Sequence, residues 1–535
     1  MAKGYRPVDR DQPFLLPPDM REWLPGGHPV HLVIAVVADH LDTSAFHARR
    51  KTGGAGAAGY DPDMLVTVLV WAYAHGVASS RRMEELCRTD VAFRVICAGN
   101  LPDHSTIARF RQEFPGAAGE LFAQVLVLCA RLGMGRLGTV ALDGTKIAAS
   151  ASKAANRGEK RLRELAAEAV AAHAAADAAE DDLFGDARGD EVPEDAWSPR
   201  GRAGRVAEAL AQLEAEREAA RAGQEAKAQE FRARQRAGQR TGPPPAGAEV
   251  ALAQENLARV IADREAQLAE LERRYAAGQP RRARPAGVQD YCRVREAAAQ
   301  VEAAREREAQ RQAAAEAAGP GPVRNITDPD SRLMPTRNGF IQGYNAQNVT
   351  SEDGLVIATE LTSDTTDMAW FAPMTGRAAA AAALIEASRP AGRQAGDARD
   401  GGGIRLVLAD AGYCSQENLT CAGPDRLIAV GKRRDLEDAA RSQDGGPDQD
   451  WGGPAVQAMR ERLRTGDGIA AYRQRGHIAE TPHGHIKHNM GLRQLSMRGK
   501  DKAAAEWTFA CAIHNLFKAL TTGHLTPQAL AGLAG

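Results

Sequence analysis

Three carboxylates, Asp143, Asp410 and Glu480, stand where acidic side chains could support metal-assisted phosphate chemistry. Cutting and rejoining a phosphodiester needs an activated oxygen nucleophile, and positive charge on the pentacoordinate phosphorus and the leaving 3′ oxygen. Two hard cations about 3.5 to 4 Å apart supply both, and such ions prefer carboxylate oxygen and water to Cys or His. Asp143 follows the apolar run TVAL and is expected at the end of a strand, before a Gly turn; Asp410 follows RLVLA in the same way. Side chains leaving neighbouring strands at one sheet edge can meet. Glu480 opens no apolar run. It lies 70 residues after Asp410, at the head of the basic helical stretch AYRQRGHIAETPHGHIKHNMGLRQ, which packed on a sheet would bring it in as a third ligand.

Each of these carboxylates alone also fits a bland role, a turn cap for the aspartates and a solvated helix position for Glu480. The surroundings of Glu480 shift the balance. Tyr472, Arg473, Arg475 and Lys487 lie around it, and residues 455–520 carry 11 Lys and Arg against 5 Asp and Glu. That local excess suits phosphate contacts. It is hidden in the whole chain, where 68 basic and 69 acidic residues leave a net charge of -1. His477, His483, His485 and His488 crowd the same stretch, but without a Cys pair or HExxH spacing they read as helix-surface, phosphate-facing histidines. Lys146, three residues after Asp143, either touches DNA or is solvated. Asn345 and Gln347 either line the site or alternate along an edge strand. Trp370 and Trp507 read as packing residues.

The elements that must position these groups fall into a simple order. With 535 residues the chain is too long for one ordinary core. Residues 1–27 form an N-terminal arm. Residues 28–135 read as helices: Asp61 caps a helix with Pro62 in its first turn, Ser79 or Ser80 starts the next, and Asp103 or Ser105 caps one carrying Ile107, Phe110 and Phe114 with Arg109 and Arg111 between them. Several short helices with basic residues fit a helix-turn-helix-like DNA-binding domain, with Arg109 and Arg111 as contacts, although any small bundle has the same pattern. Residues 136–155 and 320–525 alternate strands and helices, implying an α/β layer. Between them, residues 156–319 are an Ala, Glu and Arg-rich helical insertion. Its Leu257, Ile261, Arg264, Leu268, Leu271 and Tyr275 are spaced 4, 3, 4, 3, 4, a heptad seam predicting a coiled-coil-like arm, and the acidic piece from Asp181 to Asp195 reads as a loop. Residues 433–453 form a polar loop, and residues 526–535 a tail.

The seven cysteines form no CxxC pair, and an odd number without a secretory leader reads as reduced thiols. The longest apolar run in the first third, Met64 to Ala74, is well short of the roughly 20 residues that span a bilayer. A cytoplasmic, nucleoid-associated protein with no membrane role is expected.

At these residues the sequence resembles the DDE transposases of bacterial insertion sequences, especially the group typed by insertion sequence 1182. The blocks that carry the resemblance are YDPDMLVTVLVWAYAHGVASSRRMEELCRTDVAFR and PDHSTIARFR near the N-terminus, and ALDGTKIAASAS, GFIQGYNAQNV, LVLADAGY and YRQRGHIAETPHGHIK in the core. They cover nearly the whole chain outside the insertion. The resemblance implies a ribonuclease-H-like catalytic fold, with Asp143, Asp410 and Glu480 holding Mg2+ or Mn2+, two ions being expected. It further implies that Tyr472, Arg475 and Lys487, matching the family's Tyr-Arg-Glu-Lys signature, contact the transposon end. Double-stranded DNA, both transposon ends and target, is then the partner, and a homodimer in the synaptic complex would bring two ends together. Cleavage would free a 3′ hydroxyl that attacks target DNA. Two departures stand out: four residues separate Arg475 from Glu480 where the wider signature has three, and His483 occupies a position expected to be aromatic or apolar. The competing functions are a catalytically decayed transposase acting as a DNA-binding regulator, and a nuclease of the same fold that never joins strands.

Overall fold

A computed structural model describes residues 22–48, 59–112, 114–184, 201–237, 244–245, 248–280, 285–317, 322–390, 403–431 and 453–533. Most of the N-terminal arm, the acidic segment after 184 and the polar loop to 452 lie outside the described residues.

The chain opens with helices α1 (Pro29–Asp39), α2 (Ser44–His47), α3 (Pro62–Ala74), α4 (Ser80–Thr89), α5 (Val91–Cys97), α6 (His104–Arg111) and α7 (Ala118–Arg131). Their starts are set by side-chain caps. Asp61 accepts from Asp63 N, Ser79 from Arg82 N, and Asp103 from both Ser105 N and Thr106 N. Each cap satisfies an otherwise orphaned N–H, worth about 1 kcal/mol.

Strand β1 (Thr139–Ala148) follows, and here the expected strand end fails: Asp143 lies in the middle of β1, and Gly144 continues the strand opposite Gln347. No turn forms because β1 stays paired with β5 through Ala148. A second compact unit, Ala155–Pro329, then interrupts the first, which resumes at Asp330. Within the second unit, β2 (Asn156–Gly158) pairs antiparallel with β3 (Val323–Asn325). Four helices lie between them: α8 (Glu159–Phe184), α9 (Arg202–Arg236), α10 (Glu249–Ala276) and α11 (Cys292–Ala317). Leu162 and Leu165 of α8 meet Val206, Ala209 and Leu213 of α9 in a small core, and α10 packs along α11. The heptad seam lies on α10 and is half-buried throughout, not sealed. Its polar member, Arg264, stacks 4.4 Å over the Tyr291 ring and donates to Ala286 O at 2.7 Å.

The first unit is completed by β4 (Arg332–Thr336), β5 (Gly339–Ser351), β6 (Val356–Thr362), α12 (Phe371–Ser388), β7 (Leu406–Ala409), α13 (Gln416–Thr420), β8 (Asp425–Ile428), α14 (Gly453–Arg464), α15 (Gly466–Gly484), α16 (Lys500–Thr521) and α17 (Pro527–Ala531). The sheet order is β4-β5-β1-β7-β8, with β6 also on β5. Strand β5 pairs antiparallel with β1, β4 and β6, whereas β7 joins parallel to β1 and β8 parallel to β7. Strand β5 is therefore internal, not an edge, and ten of its residues, Gln342 to Ser351, are buried.

The larger hydrophobic core of this unit runs from Val33, Leu69 and Trp71 through Leu126 and Trp507 to Val140, Tyr344 and Ile428, and a second buried cluster gathers Ala141, Leu408, Leu427, Val456 and Ile478. Residue 135 divides the chain by element type, not by core. Helix α16 is the common partner, packing on α3, α7 and β6, and its Asn515 amide bonds both the N–H and the C=O of Val356 at 2.8 Å. Among the described residues no helix is long and apolar enough to cross a membrane.

Candidate active site

Asp143 leaves the middle of β1, and Asp410 follows the last residue of the parallel neighbour β7, where it caps a short 3-10 turn by accepting from Gly412 N at 2.9 Å. Helix α15, started by the Thr465 cap, crosses beside them. From it Arg475 donates to Asp143 Oδ1 at 2.8 Å and stands 3.7 Å from Asp410 Oδ2. A guanidinium thus occupies the space between the two aspartates, and its buried Nε has no hydrogen-bond partner. Tyr472, one turn earlier, donates its hydroxyl to Ala409 O at 3.2 Å and ties the helix to the end of β7.

Glu480 does not join them as closely. Five residues along a helix turn it by about 140° from Arg475, so while Ile478, Ala479, Pro482 and His483 are buried, Glu480 is exposed on the flank and near the end of the helix, not at its head. It acts on Asp143 through its charge. Among the described residues, the ligand-type group whose donor atoms all lie within 4.8 Å of one another is His47, Asp61 and Asp63, not this triad. Helix capping accounts for that trio: Asp61 caps α3, and Asp63 accepts from Thr43 and, at 3.0 Å, from His47.

Beyond Gly484 the backbone enters a π-helical turn, His485–Asn489. It carries Lys487 back onto β1, where Nζ donates to Thr145 Oγ1 at 2.5 Å and to Lys146 O at 2.7 Å. The four histidines disperse. His483 is buried and stacks on Trp507, His485 faces His514, His488 meets Arg493, and His477 is exposed. His483 fills the apolar packing position that the sequence calls for. Burial holds its pKa down to about 3, so it packs as a neutral ring, 3.9 Å from Asp143 Oδ2. Trp507 is fully buried and Trp370 bonds Asp364, so both pack.

A fourth carboxylate, missed from sequence, lies in the same place. Asp367, in the loop between β6 and α12, accepts at Oδ1 from Asn345 and Gln347 of β5, both at 2.6 Å, and from Lys146 at 3.4 Å. Gln347 in turn accepts from the buried Tyr413 hydroxyl. Asn345 and Gln347 thus serve the site. The signal that could have revealed Asp367 is Gly144, a glycine inside a strand, which marks close approach by another group. A Cβ there would meet Asp367 Oδ1 at 2.5 Å.

The electrostatics follow from crowding like charges out of water. Burial pushes the Asp143 carboxyl up to about 6; Arg475 opposes this, and Asp410, Asp367 and Glu480 add to it. Asp410 is raised mainly by burial, again against Arg475. Burial also lowers Lys487 to about 8, with Asp143 resisting. Carboxylates this close favour bound positive charge. The donors offered by Asp143, Asp410 and Glu480 are all oxygen, a set that suits a hard divalent cation.

Two sequence-predicted DNA contacts differ in kind. Arg109 is exposed. Arg111 is buried and committed to Ala78 O, Ser80, Tyr73, Ser496 and Glu506, so it is a structural arginine and not a surface contact. The reason is its spacing: four residues after Ile107, it falls on the apolar stripe of α6.

Against this geometry the comparisons can be placed. Residues 18–113 match the family described as Transposase domain (DUF772), and residues 450–520 match Transposase DDE domain, a stretch that holds Tyr472, Arg475, Glu480 and Lys487. Comparison with curated proteins and with solved structures finds no match. The two family matches support a DDE transposase, a type that implies a ribonuclease-H-like fold, a DNA substrate and divalent metal.

Proposed function

We propose that the chain is a DNA transposase that binds the ends of an insertion sequence and catalyses metal-dependent strand cleavage and strand transfer. The observation that carries this reading is Arg475 seated between Asp143 and Asp410: two strand-borne carboxylates converge on one cationic group within a segment of transposase type. Within the six-stranded mixed sheet, the run β6-β5-β1-β7-β8, three successively antiparallel strands followed by two parallel to β1, is the order expected of a ribonuclease-H-like core, and β4 is added on β5. The finer kinship, to the group typed by insertion sequence 1182, rests on the sequence blocks that flank the carboxylates.

Mg2+ or Mn2+, held by Asp143, Asp410 and Glu480, would supply the charge that stabilises the phosphorane and the leaving 3′ oxygen. The protein's own groups do the rest. Arg475 is positioned to exchange carboxylate for phosphate oxygens, its planar fork suiting either. Lys487 retains one ammonium hydrogen after bonding Thr145 and Lys146 O, and offers it to the DNA backbone. Tyr472 holds the helix at the strand end, Lys146 and Arg109 add phosphate contacts, and His483 with Trp507 keeps water from the back of Asp143. Two ends must be held at once, which makes a homodimer the working assembly and the nucleoid its place of action. Incubation with DNA carrying the flanks of its own gene, plus Mg2+ or Mn2+, tests the proposal. Nicks mapped to the nucleotide at both element ends support it; uncut, unbound flanks would remove it.

A further inference from the structure

We propose that Asp367 is a fourth member of the cation-holding carboxylate set, with Oδ1 anchored by protein donors and Oδ2 presented to the site. The inference rests on the reading that Asp143 and Asp410 hold a divalent cation, and extends it to a residue outside the triad.

The argument starts from how the carboxylate is fixed. Asn345, Gln347 and Lys146 all donate to one oxygen, Oδ1, from two adjacent strands. Asn345 and Gln347 are fully buried, and Tyr413 at the end of β7 clamps Gln347 from the far side. A carboxylate needing only charge balance would not require three donors from two strands on a single oxygen. Such an arrangement sets the plane of the group and leaves Oδ2 with a defined direction.

That direction is read from a second glycine. A Cβ at Gly412 would lie 3.2 Å from Asp367 Oδ2 and 3.0 Å from Asp410 Oδ1, so one oxygen of each carboxylate borders the same small space. Gly144 and Gly412 each follow a triad aspartate, by one and two residues, and at both the space of a side chain is taken by Asp367. The Asp-Gly and Asp-Ala-Gly sequences therefore clear room for this residue on both flanks. Its like charge acts on Asp143 and Asp410 together, a cost that Lys146 and Arg475 offset in part and that a bound cation would offset further. Glu480, exposed on the helix flank, is less well placed to do so alone.

Mn2+ titration of the full-length protein by calorimetry, without DNA, provides the test, with melting temperature read alongside. Asp367→Asn keeps the shape of the side chain while removing its charge. It should weaken Mn2+ binding about tenfold or more, the usual effect of losing a carboxylate at or beside a metal site. Gly144→Ala, which leaves every carboxylate in place but puts a methyl group on Oδ1, should weaken it to a similar degree. Asp143→Asn is the control. If it loses affinity while Asp367→Asn and Gly144→Ala stay within twofold of the parent, Asp367 is a structural acceptor and the inference falls. If Asp143→Asn also binds Mn2+ normally, the cation reading of the site fails, and this inference with it.

Discussion

Arg475 and Asp143, 332 positions apart in sequence, meet at 2.8 Å across the face of the sheet. The contact joins the segment of DDE type to a strand that precedes the inserted unit, and it defines what the remaining charges must do.

Asp143→Asn should reduce Mg2+-dependent end cleavage to background while leaving DNA binding within about twofold of the parent. Gel shift and nick mapping on one DNA substrate separate the two. Retained cutting would remove Asp143 from the chemistry.

The pH dependence of stability carries a signature of the same carboxyl group. Its pKa goes from 3.8 to about 6 on folding, so between these values the folded chain holds a proton that the unfolded chain has lost. Without added cation, this contribution is complete below about pH 4 and is lost as pH rises through 6, by up to about 3 kcal/mol. Protection by Mg2+ should grow over the same interval. Melting curves of the parent and Asp143→Asn, compared between pH 4 and 7, check this; parallel pH profiles would contradict it.

Lys487→Ala should weaken end binding at all sequences alike and make its salt dependence shallower by about one phosphate equivalent. In the parent, the same loss should set in above about pH 8, where this lysine gives up its proton. An identical slope for parent and variant at pH 7 would take Lys487 off the contact surface.

Arg111 and Glu506 form a buried ion pair at 3.0 Å. Replacing either with Ala leaves the other charged and unpaired, and should cost about 3 to 5 kcal/mol in stability. Chemical denaturation measures that. If Arg111→Ala instead weakens DNA binding without changing the denaturation midpoint, the surface role expected from the helical pattern is restored.

The inserted unit can be removed at a natural seam. Asn156 and Asn325 are paired across β2 and β3, and Ile326 N bonds Ala155 O at 3.1 Å, so a short Gly-Ser link can replace residues 156–325. The shortened chain should stay soluble and unfold in one transition. An insoluble product would mean that the sheet depends on the insertion.

Much of the site was legible because apolar runs announce strands. LVLA predicts β7, and Asp410 sits where that run ends. The same rule misplaced Asp143, since β1 continues past it through a polar stretch, Gly144 to Lys146, whose partners are buried residues of β5 that no local pattern reveals. Asp367 was invisible for a related reason. It sits among other polar residues in TSDTTDMAW, and what distinguishes it from Asp364 is three donors contributed by distant strands. Helix caps at Asp61, Ser79 and Asp103 were readable because capping is decided within three residues.

The core shared by α1 to α7, α16 and the sheet bears on how such a protein can diversify. A lineage that exchanged its N-terminal helices for another set, by recombination near residue 135, would strip Tyr73 from Phe509 and leave Glu506 without Arg111. On the proposed function, new end preferences would then arise by substitution on exposed positions such as Arg109, with the proposed recognition surface and cutting centre inherited as one piece.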